Sequence, residues 1–209
     1  MSVLPLVFAS GWASGINAYA VVLLLGLLGA AGVTDEVPET LQQPEVLIAA
    51  GALFMVEAVV DKVPYLDSMW DTVSTFIRPV VGGSVAALLA EQSGSMEELT
   101  AGAVGGSTAL ASHIVKAGTR MAINASPEPF SNVVASIAED LGVGSVITLA
   151  VFHPVAAAII AGVLLVLGLV LLFFLAHRIR RFRRRRRARR IERERQRAAS
   201  GPTGGEYGP

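Results

Sequence analysis

The feature that most constrains the fold is a long uncharged stretch in the second half of the chain. Residues 141–176 form a run of 36 residues without Asp, Glu, Lys or Arg. A single helix of that length would extend about 54 Å at 1.5 Å per residue, whereas the hydrocarbon core of a bilayer is about 30 Å thick. His153 and Pro154 divide the stretch, because proline lacks a backbone N–H and disfavours helix in the residue before it. The pattern therefore predicts two membrane spans, residues 141–152 and 155–177.

Four further apolar stretches raise the predicted number of spans to six. The predicted spans are residues 3–31, 46–63, 79–91, 100–122, 141–152 and 155–177. Charged residues make up only 16% of the chain, whereas a soluble domain carries roughly 25%. Cysteine is absent, which excludes a disulfide framework and a cysteine-based metal or redox site. The sequence therefore predicts an all-α, polytopic integral membrane protein with a transmembrane domain over residues 1–177.

Two amphipathic segments, residues 66–77 and 128–140, precede the two short spans. Their apolar side chains recur at helical spacing, so we expect two helices that lie at the cytoplasmic interface or dip partly into the bilayer. The tripeptide Gly-Ser-Val occurs at residues 83–85 and again 61 positions later, at 144–146. This spacing indicates an internal repeat of span, interfacial helix and short span. Chance similarity between apolar helices is the alternative.

The basic residues predict the orientation, because Lys and Arg favour the cytoplasmic side of a membrane. Thirteen of the 17 basic residues are arginines within residues 178–197, where we expect a basic juxtamembrane helix. Residues 34–45 and 91–98 contain acids and no base, so they are expected outside. An alternating path through six spans then places both termini in the cytoplasm, at a bacterial plasma membrane. No charge precedes Asp35, so the first span is not expected to be a cleaved signal peptide.

The arginines that directly follow the last span are expected to contact lipid. Those nearest the span are Arg178, Arg180, Arg181, Arg183 and Arg184. Each basic residue near an anionic membrane surface contributes about 1 kcal/mol of attraction to the head groups. Nucleic acid offers the same phosphates, but the membrane tether brings head groups close, so we expect lipid and no nucleic acid as the partner. Residues 198–209 are predicted to be disordered from their composition, and a homo-oligomer stays open.

Charged side chains inside the predicted spans are the candidates for function, because each costs about 2.5–3.5 kcal/mol or more at the centre of a helix in lipid. The candidates for a polar pathway or ligand site are Asn17, Glu57, Asp61, His113, Lys116 and Arg120. Glu57 and Asp61 are four residues apart, so they share one helix face. His113, Lys116 and Arg120 follow at spacings of three and four and share another. The repeat places the two acids opposite Lys116 and Arg120. Structural ion pairs that clamp the repeats are one interpretation, and a polar pathway or anionic-ligand site is the other.

The first span contains a polar group of its own. Asn17 lies close to Gly15, Ser10 and Ser14 within an otherwise apolar helix. Small residues let helices approach each other and Asn can form hydrogen bonds between them, so a packing face is one interpretation. The alternative is that Asn17 and unwound backbone near Gly15 line a substrate site.

Three segments resemble a bacterial membrane protein family known as domain of unknown function 4126. They are SGINAYA at residues 14–20, EAVVDKVPYLD at residues 57–67, and the Ile-Arg-Pro tripeptide at residues 77–79. The resemblance covers roughly residues 5–175 and implies a multi-pass membrane protein, without a known activity. It marks as motif positions Gly15, Asn17, Glu57, Asp61, Lys62, Pro64 and Asp67.

Motifs of enzymes are missing from the sequence. It has no glycine-rich phosphate loop of the Walker type, no HExxH and no cysteine, and its three histidines are scattered, so we expect no enzyme, no cofactor and no metal site. The first hypothesis is a small transporter, channel or lipid translocator that uses the intramembrane charges. The alternative is a non-catalytic membrane scaffold or assembly factor with structural ion pairs. A polar cavity that reaches Glu57 would favour the first, and a dry, fully paired cluster the second.

Overall fold

The computed structural model describes residues 3–63, 65–124 and 129–199, and within these ranges the regular elements are all helical. The helices are α1 (Leu4–Ala30), α2 (Glu39–Gln42), α3 (Pro44–Val60), α4 (Leu66–Ala90), α5 (Ser95–Asn124), α6 (Pro129–Phe152) and α7 (Pro154–Ala199), with a 3₁₀ turn at Glu91–Ser93. Four helical segments are long and apolar enough to cross a membrane: Leu4–Ala30, Leu66–Ala90, Phe130–Phe152 and Pro154–Arg181. The protein is therefore all-helical with several membrane-compatible helices, and the total of six spans stays a prediction.

The two amphipathic segments are not separate helices. Residues 66–77 and the short span after them form one continuous helix, α4, with Pro79 inside it. Residues 129–152 likewise form the single helix α6. In an apolar environment a helix satisfies its own backbone hydrogen bonds, so the chain stays helical across one proline although that proline removes a donor. The predicted interfacial helices are therefore the first halves of α4 and α6.

Helix α1 is broken at its centre. Asn17 has φ −149° and ψ 95°, which is not a helical conformation. Its side-chain Oδ1 accepts a hydrogen bond of 2.9 Å from the backbone N–H of Ala20, as the N-cap residue of a helix does. Asn17 thus ends one half-helix, residues 4–16, and begins a second, residues 18–30.

The first half-helix runs alongside α5 in the same direction. The carbonyl of Trp12 accepts a hydrogen bond from the Ser112 hydroxyl at 2.8 Å. Four residues further on, the carbonyl of Ile16 accepts one from Lys116 Nζ at 3.0 Å. Both partners advance by four residues, so the two helices are parallel over this stretch.

The second half-helix runs against α3 in the opposite direction. Tyr19 lines a shallow groove together with Leu53, and a Cβ added to Gly26 would lie 2.6 Å from the Leu47 side chain. As the residue number rises along α1 it therefore falls along α3. Helices α3 and α5 both run towards the ion pairs that join them. The two halves of α1 are therefore antiparallel and form a hairpin with its tip at Asn17, which we call the α1 hairpin.

The ends of α1 lie close together, as a hairpin requires. Val3 and Gly29 line the same cavity, whereas a straight helix would separate them by about 39 Å. Within the predicted span over residues 3–31, the conformation of Asn17 therefore turns the chain back. Val3 lies at the same end of the molecule as residues 34–42, and not at the opposite end as the predicted path requires.

The α1 hairpin packs against α4 and α5 through small residues. A Cβ added to Gly11 would lie 2.7 Å from the carbonyl oxygen of Gly105. A Cβ on Gly82 would lie 2.7 Å from Cβ of Ala109 and 3.2 Å from Cβ of Ser14. Small side chains at these positions let helix backbones come into near contact. The α1 hairpin is consequently packed closely against α4 and α5 near its tip.

The chain divides into two compact units, Met1–Leu169 and Val170–Pro209. The first contains α1 to α6 and the start of α7, where apolar side chains such as Ile159 and Val163 are exposed. In the second unit α7 continues to Ala199, and Arg178, Arg180 and Arg181 are exposed. The side chains of Arg183 and Arg184, Pro64, and residues 200–209 of the predicted disordered tail lie outside the described residues.

Candidate functional site

The charged residues of α3 to α6 meet in one buried group beside the tip of the α1 hairpin. We call this group the charge cluster, and its members are Glu57, Asp61, Asp71, Arg78, Lys116, Arg120 and Glu139. Apart from Glu139, whose side chain is 20% exposed, all are buried. Burying a charge is costly unless it is paired, so the contacts inside the cluster decide what it can do.

Each cation of the charge cluster has one close carboxylate. Arg78 Nη2 lies 2.5 Å from Glu57 Oε1. Lys116 Nζ lies 2.7 Å from Asp61 Oδ2. The third close pair is Arg120 Nη2 with Glu139 Oε2, at 2.6 Å. These three pairs connect α3 with α4, α3 with α5, and α5 with α6.

Longer contacts join the three close pairs into one network. Lys116 Nζ lies 3.4 Å from Glu57 Oε1 and 3.5 Å from Glu139 Oε2. Arg120 Nη2 lies 3.5 Å from Asp61 Oδ2. The structure therefore brings together both of the pairs that the repeat places opposite each other, Glu57 with Lys116 and Asp61 with Arg120, but as secondary contacts. The closest partners of Glu57 and Arg120 are others.

The break in α1 supplies backbone carbonyls to two of the cations. Arg78 Nη1 donates to the carbonyl of Gly15 at 3.1 Å, and Lys116 Nζ donates to that of Ile16 at 3.0 Å. The C-terminal end of a half-helix carries partial negative charge, so it attracts cations. Asn17 Nδ2 donates to Asp140 Oδ1 at 3.1 Å, which ties the hairpin tip to α6.

The ring of His113 is neutral in this arrangement. Its Nδ1 lies 2.8 Å from Arg78 Nη1, and a guanidinium can only donate, so Nδ1 accepts. The ring proton is then on Nε2, which lies 3.1 Å from the carbonyl oxygen of Asp71 and 3.0 Å from Thr75 Oγ1. His113 therefore orients Arg78 and adds no positive charge to the cluster.

A polar network continues from the cluster to the helix ends. Asn124 Nδ2 donates to both carboxylate oxygens of Asp67 at 2.9 Å, and Asn132 Nδ2 donates to Asn124 Oδ1 at 2.8 Å. Arg120 Nη1 reaches the carbonyls of Asp61 and Asn132 at 3.0 and 3.2 Å. Buried polar groups thus extend from the start of α4 and the end of α5 to the α1 hairpin.

Some carboxylate oxygens of the cluster have no hydrogen-bond partner. Among the described residues, Glu57 Oε2, Asp61 Oδ1 and Asp71 Oδ1 are buried and accept no hydrogen bond. An unsatisfied buried polar group costs roughly 1–3 kcal/mol, and more if it is charged. The cluster is therefore buried but incompletely paired.

Two cavities lie outside the charge cluster. One, of about 990 Å³, lies at the opposite end of the α1 hairpin from its tip, and the charged residues that line it are Asp35, Glu36, Glu39 and Glu91. A shallower groove of about 600 Å³ follows α6 and begins at Asp140, the partner of Asn17. The residues that line these two cavities do not include Glu57.

All six residues that the sequence indicates for the site lie in or against the charge cluster. Asn17 forms the hairpin tip, and the other five contact one another or Arg78. Sequence reasoning missed Asp71 and Glu139, which lie in the two segments expected at the cytoplasmic interface, and Arg78, which directly follows the first of them. The signal was present for α4, where the buried polar residues Asp67, Asp71, Ser74 and Arg78 recur at spacings of four, three and four.

The family motif positions largely coincide with this region. Gly15, Asn17, Glu57, Asp61 and Asp67 all take part in the polar network or the packing around it. Lys62 donates to the carbonyl of Ala58 at 2.6 Å. In the described part of the chain, no group of three His, Asp or Glu residues is arranged to hold a metal ion.

Comparison with known proteins places the chain in a family. The sequence model of the family described as domain of unknown function (DUF4126) matches residues 4–173, so the chain belongs to that family. No curated protein and no solved structure matches the chain.

Proposed function

We propose that this member of the family is a small membrane transporter or channel, and that its solute passes the charge cluster. The observation that carries the proposal is the incomplete pairing of the cluster at the tip of the α1 hairpin. Charged residues within membrane segments normally mark substrate or ion pathways. Broken helices near the middle of the membrane, with half-helix ends that face charges, are typical of transporter sites.

The distribution of charged residues supports a defined orientation of the protein in the membrane. In our proposal the arginines of residues 178–197 lie in the cytoplasm of a bacterium, since basic residues favour that side. By the same rule, the end of the first unit with Asp67 and Asn124 faces the cytoplasm, because Lys62 and Arg120 lie near it. The tail arginines then meet anionic head groups. The cavity lined by Asp35, Glu36 and Glu39 faces outwards and raises the local concentration of cations. This lining favours a cation or a proton over an anion as the solute.

A scaffold or assembly factor is the second candidate, and a specific observation favours it. Every cation of the cluster has a carboxylate within 2.7 Å, and neither cavity is lined by Glu57. Ion pairs of this kind can clamp helices together without moving a solute. In that case the charges contribute to the fold and a partner binds elsewhere.

Flux through reconstituted protein separates the two candidates. The full chain is placed in liposomes and tested with proton, alkali-cation and anion indicators and with labelled lipids. We expect flux of one solute in the wild type and a decrease of about tenfold or more in Glu57→Gln, which corresponds to about 1.4 kcal/mol in the barrier. Glu45→Gln is the matched control, because Glu45 is exposed in the first turn of the same helix.

The opposite result supports the scaffold. If no solute or lipid moves with the wild type, and Glu57→Gln only lowers the temperature of unfolding, the transport proposal is overturned. Lipid movement that Glu57→Gln leaves unchanged would also overturn a role for the charge cluster.

A further inference from the structure

The carboxylates of the charge cluster outnumber its cations. Three cations, Arg78, Lys116 and Arg120, face four carboxylates, Glu57, Asp61, Asp71 and Glu139. His113 does not make up the difference, because its Nδ1 accepts from Arg78 and the ring is neutral. An extra buried negative charge without a partner is strongly unfavourable. One carboxylate of the cluster therefore needs a proton.

Asp71 is the carboxylate without a cation of its own. The other three carboxylates have a cationic nitrogen at 2.5–2.7 Å. The ion-pair contact of Asp71 is longer, 3.5 Å from Oδ1 to Arg78 Nη2, and Oδ1 accepts no hydrogen bond within the described residues. Only 5% of Asp71 is exposed, so water does not solvate its carboxylate freely.

The surroundings of Asp71 contain both signs of charge. The charged and titratable groups around it are Asp67 and Arg78 on its own helix, Asp61 after α3, His113 and Lys116 on α5, and Glu139 on α6. Lys116 and Arg78 are engaged by Asp61 and Glu57 at shorter distances. The remaining groups are anionic or neutral and do not favour a negative charge on Asp71.

We infer that the cluster holds one exchangeable proton, and that Asp71 carries it as a neutral carboxylic acid in the state described by this structure. The inference rests on the proposed function. Within that function, the proton is either the coupling ion or the transported ion. Arg78 already contacts both Glu57 and Asp71, so it can change partner by a short movement. When it moves to Asp71, the O–H bond at Asp71 breaks and one forms at Glu57. The net charge of the cluster is unchanged by this step.

Infrared spectroscopy of the purified full chain in lipid nanodiscs tests the inference directly. A protonated carboxylic acid has a C=O stretching band that a carboxylate lacks. We expect this band at neutral pH in the wild type and in the exposed control Glu45→Gln. Protein labelled with ¹³C at the side-chain carboxyl of aspartate should show the band shifted, whereas protein labelled at glutamate should not.

Two substitutions test the charge balance itself. Asp71→Asn should abolish the band, because it removes the group that holds the proton. Glu57→Gln should abolish it as well, because three carboxylates then face three cations and Arg78 is free to pair with Asp71. If Asp71→Asn does not fold, the aspartate label in the wild type still decides whether the protonated group is an aspartate or a glutamate, and Glu57→Gln still tests the charge balance.

The inference and the proposed function fail in different ways. The absence of the band in the wild type, its survival in Asp71→Asn, or a shift with labelled glutamate instead of aspartate overturns the inference. Those spectra leave the flux measurements unaffected. Absence of flux overturns the transport proposal and leaves the protonated carboxyl in place.

Discussion

At the scale of single residues, the stability of the charge cluster depends on its cations. Lys116 is buried and contacts Asp61, Glu57 and Glu139, as well as the Ile16 carbonyl. Removing one partner of a buried ion pair leaves an uncompensated buried charge. The loss of stability when a buried cation is replaced therefore comes largely from the carboxylates that stay buried without a partner.

Lys116→Met tests this contribution. We expect the free energy of unfolding in detergent micelles to fall by about 3–5 kcal/mol, because the carboxylates of Asp61 and Glu57 lose a partner. Lys62→Met is the control, since Lys62 is half-buried and donates only to the carbonyl of Ala58 among the contacts described. Its loss should cost about 1 kcal/mol or less. Equal effects of the two substitutions would contradict a special role of the buried cation.

At the scale of elements, the α1 hairpin brings backbone carbonyls to Arg78 and Lys116. Glycine is required beside its tip for a geometric reason. A Cβ added to Gly15 would overlap the Ser112 hydroxyl and the carbonyl oxygen of Ala109 on α5. Any larger residue must push α5 away, and this movement separates Lys116 from the Ile16 carbonyl.

Gly15→Ala is the corresponding prediction. We expect a loss of about 1–3 kcal/mol in the free energy of unfolding, the usual cost of overpacking. Gly144→Ala on α6 is a matched control, because a Cβ there meets no atom within 4 Å. In a helix interior that substitution should stabilise by about 0.5–1 kcal/mol. The free energy of unfolding of both variants is measured by denaturant unfolding in the same detergent. A Gly15→Ala variant of unchanged stability would contradict the close approach of α1 and α5.

The sequence predicts part of this site well, and the reason lies in helical periodicity. Spacings of three and four identify the faces that carry Glu57 with Asp61, and Lys116 with Arg120, and those faces meet in the structure. Arg78 directly follows the predicted interfacial helix over residues 66–77, where a base usually indicates the cytoplasmic side. Its burial depends on the continuity of α4 through Pro79, which hydropathy alone does not reveal.

The α1 hairpin was missed for a different physical reason. A helix that crosses a membrane and one that folds back after half its length have the same apolar composition. The difference lies in the conformation of Asn17 and in its capping of Ala20. Asn17 and Gly15 did indicate a break as one of two interpretations, but the direction of the chain after the break depends on packing against α3 and α5.

At the scale of the whole molecule, the hairpin decides which segments share a side of the membrane. Leu4 begins α1 and Glu36 follows it, and a single crossing would separate them by the bilayer. The hairpin brings them to one side, because Val3 lines the same cavity as Glu36. Tyr65 follows α3 and precedes α4, so it lies at the other end, next to the charge cluster.

Cysteine labelling with a membrane-impermeant maleimide tests this arrangement, and the absence of native cysteine makes every introduced thiol unique. Leu4, Glu36 and Tyr65 are exposed, so each is replaced singly by cysteine in the full chain. We expect Leu4→Cys and Glu36→Cys to react in intact cells, and Tyr65→Cys to react only after lysis. The hairpin itself is tested by the comparison, because it requires Leu4→Cys and Glu36→Cys to react under the same condition and Tyr65→Cys under the other. If Leu4→Cys instead reacts together with Tyr65→Cys, α1 crosses the membrane once and the charge cluster loses the two carbonyls that the hairpin supplies.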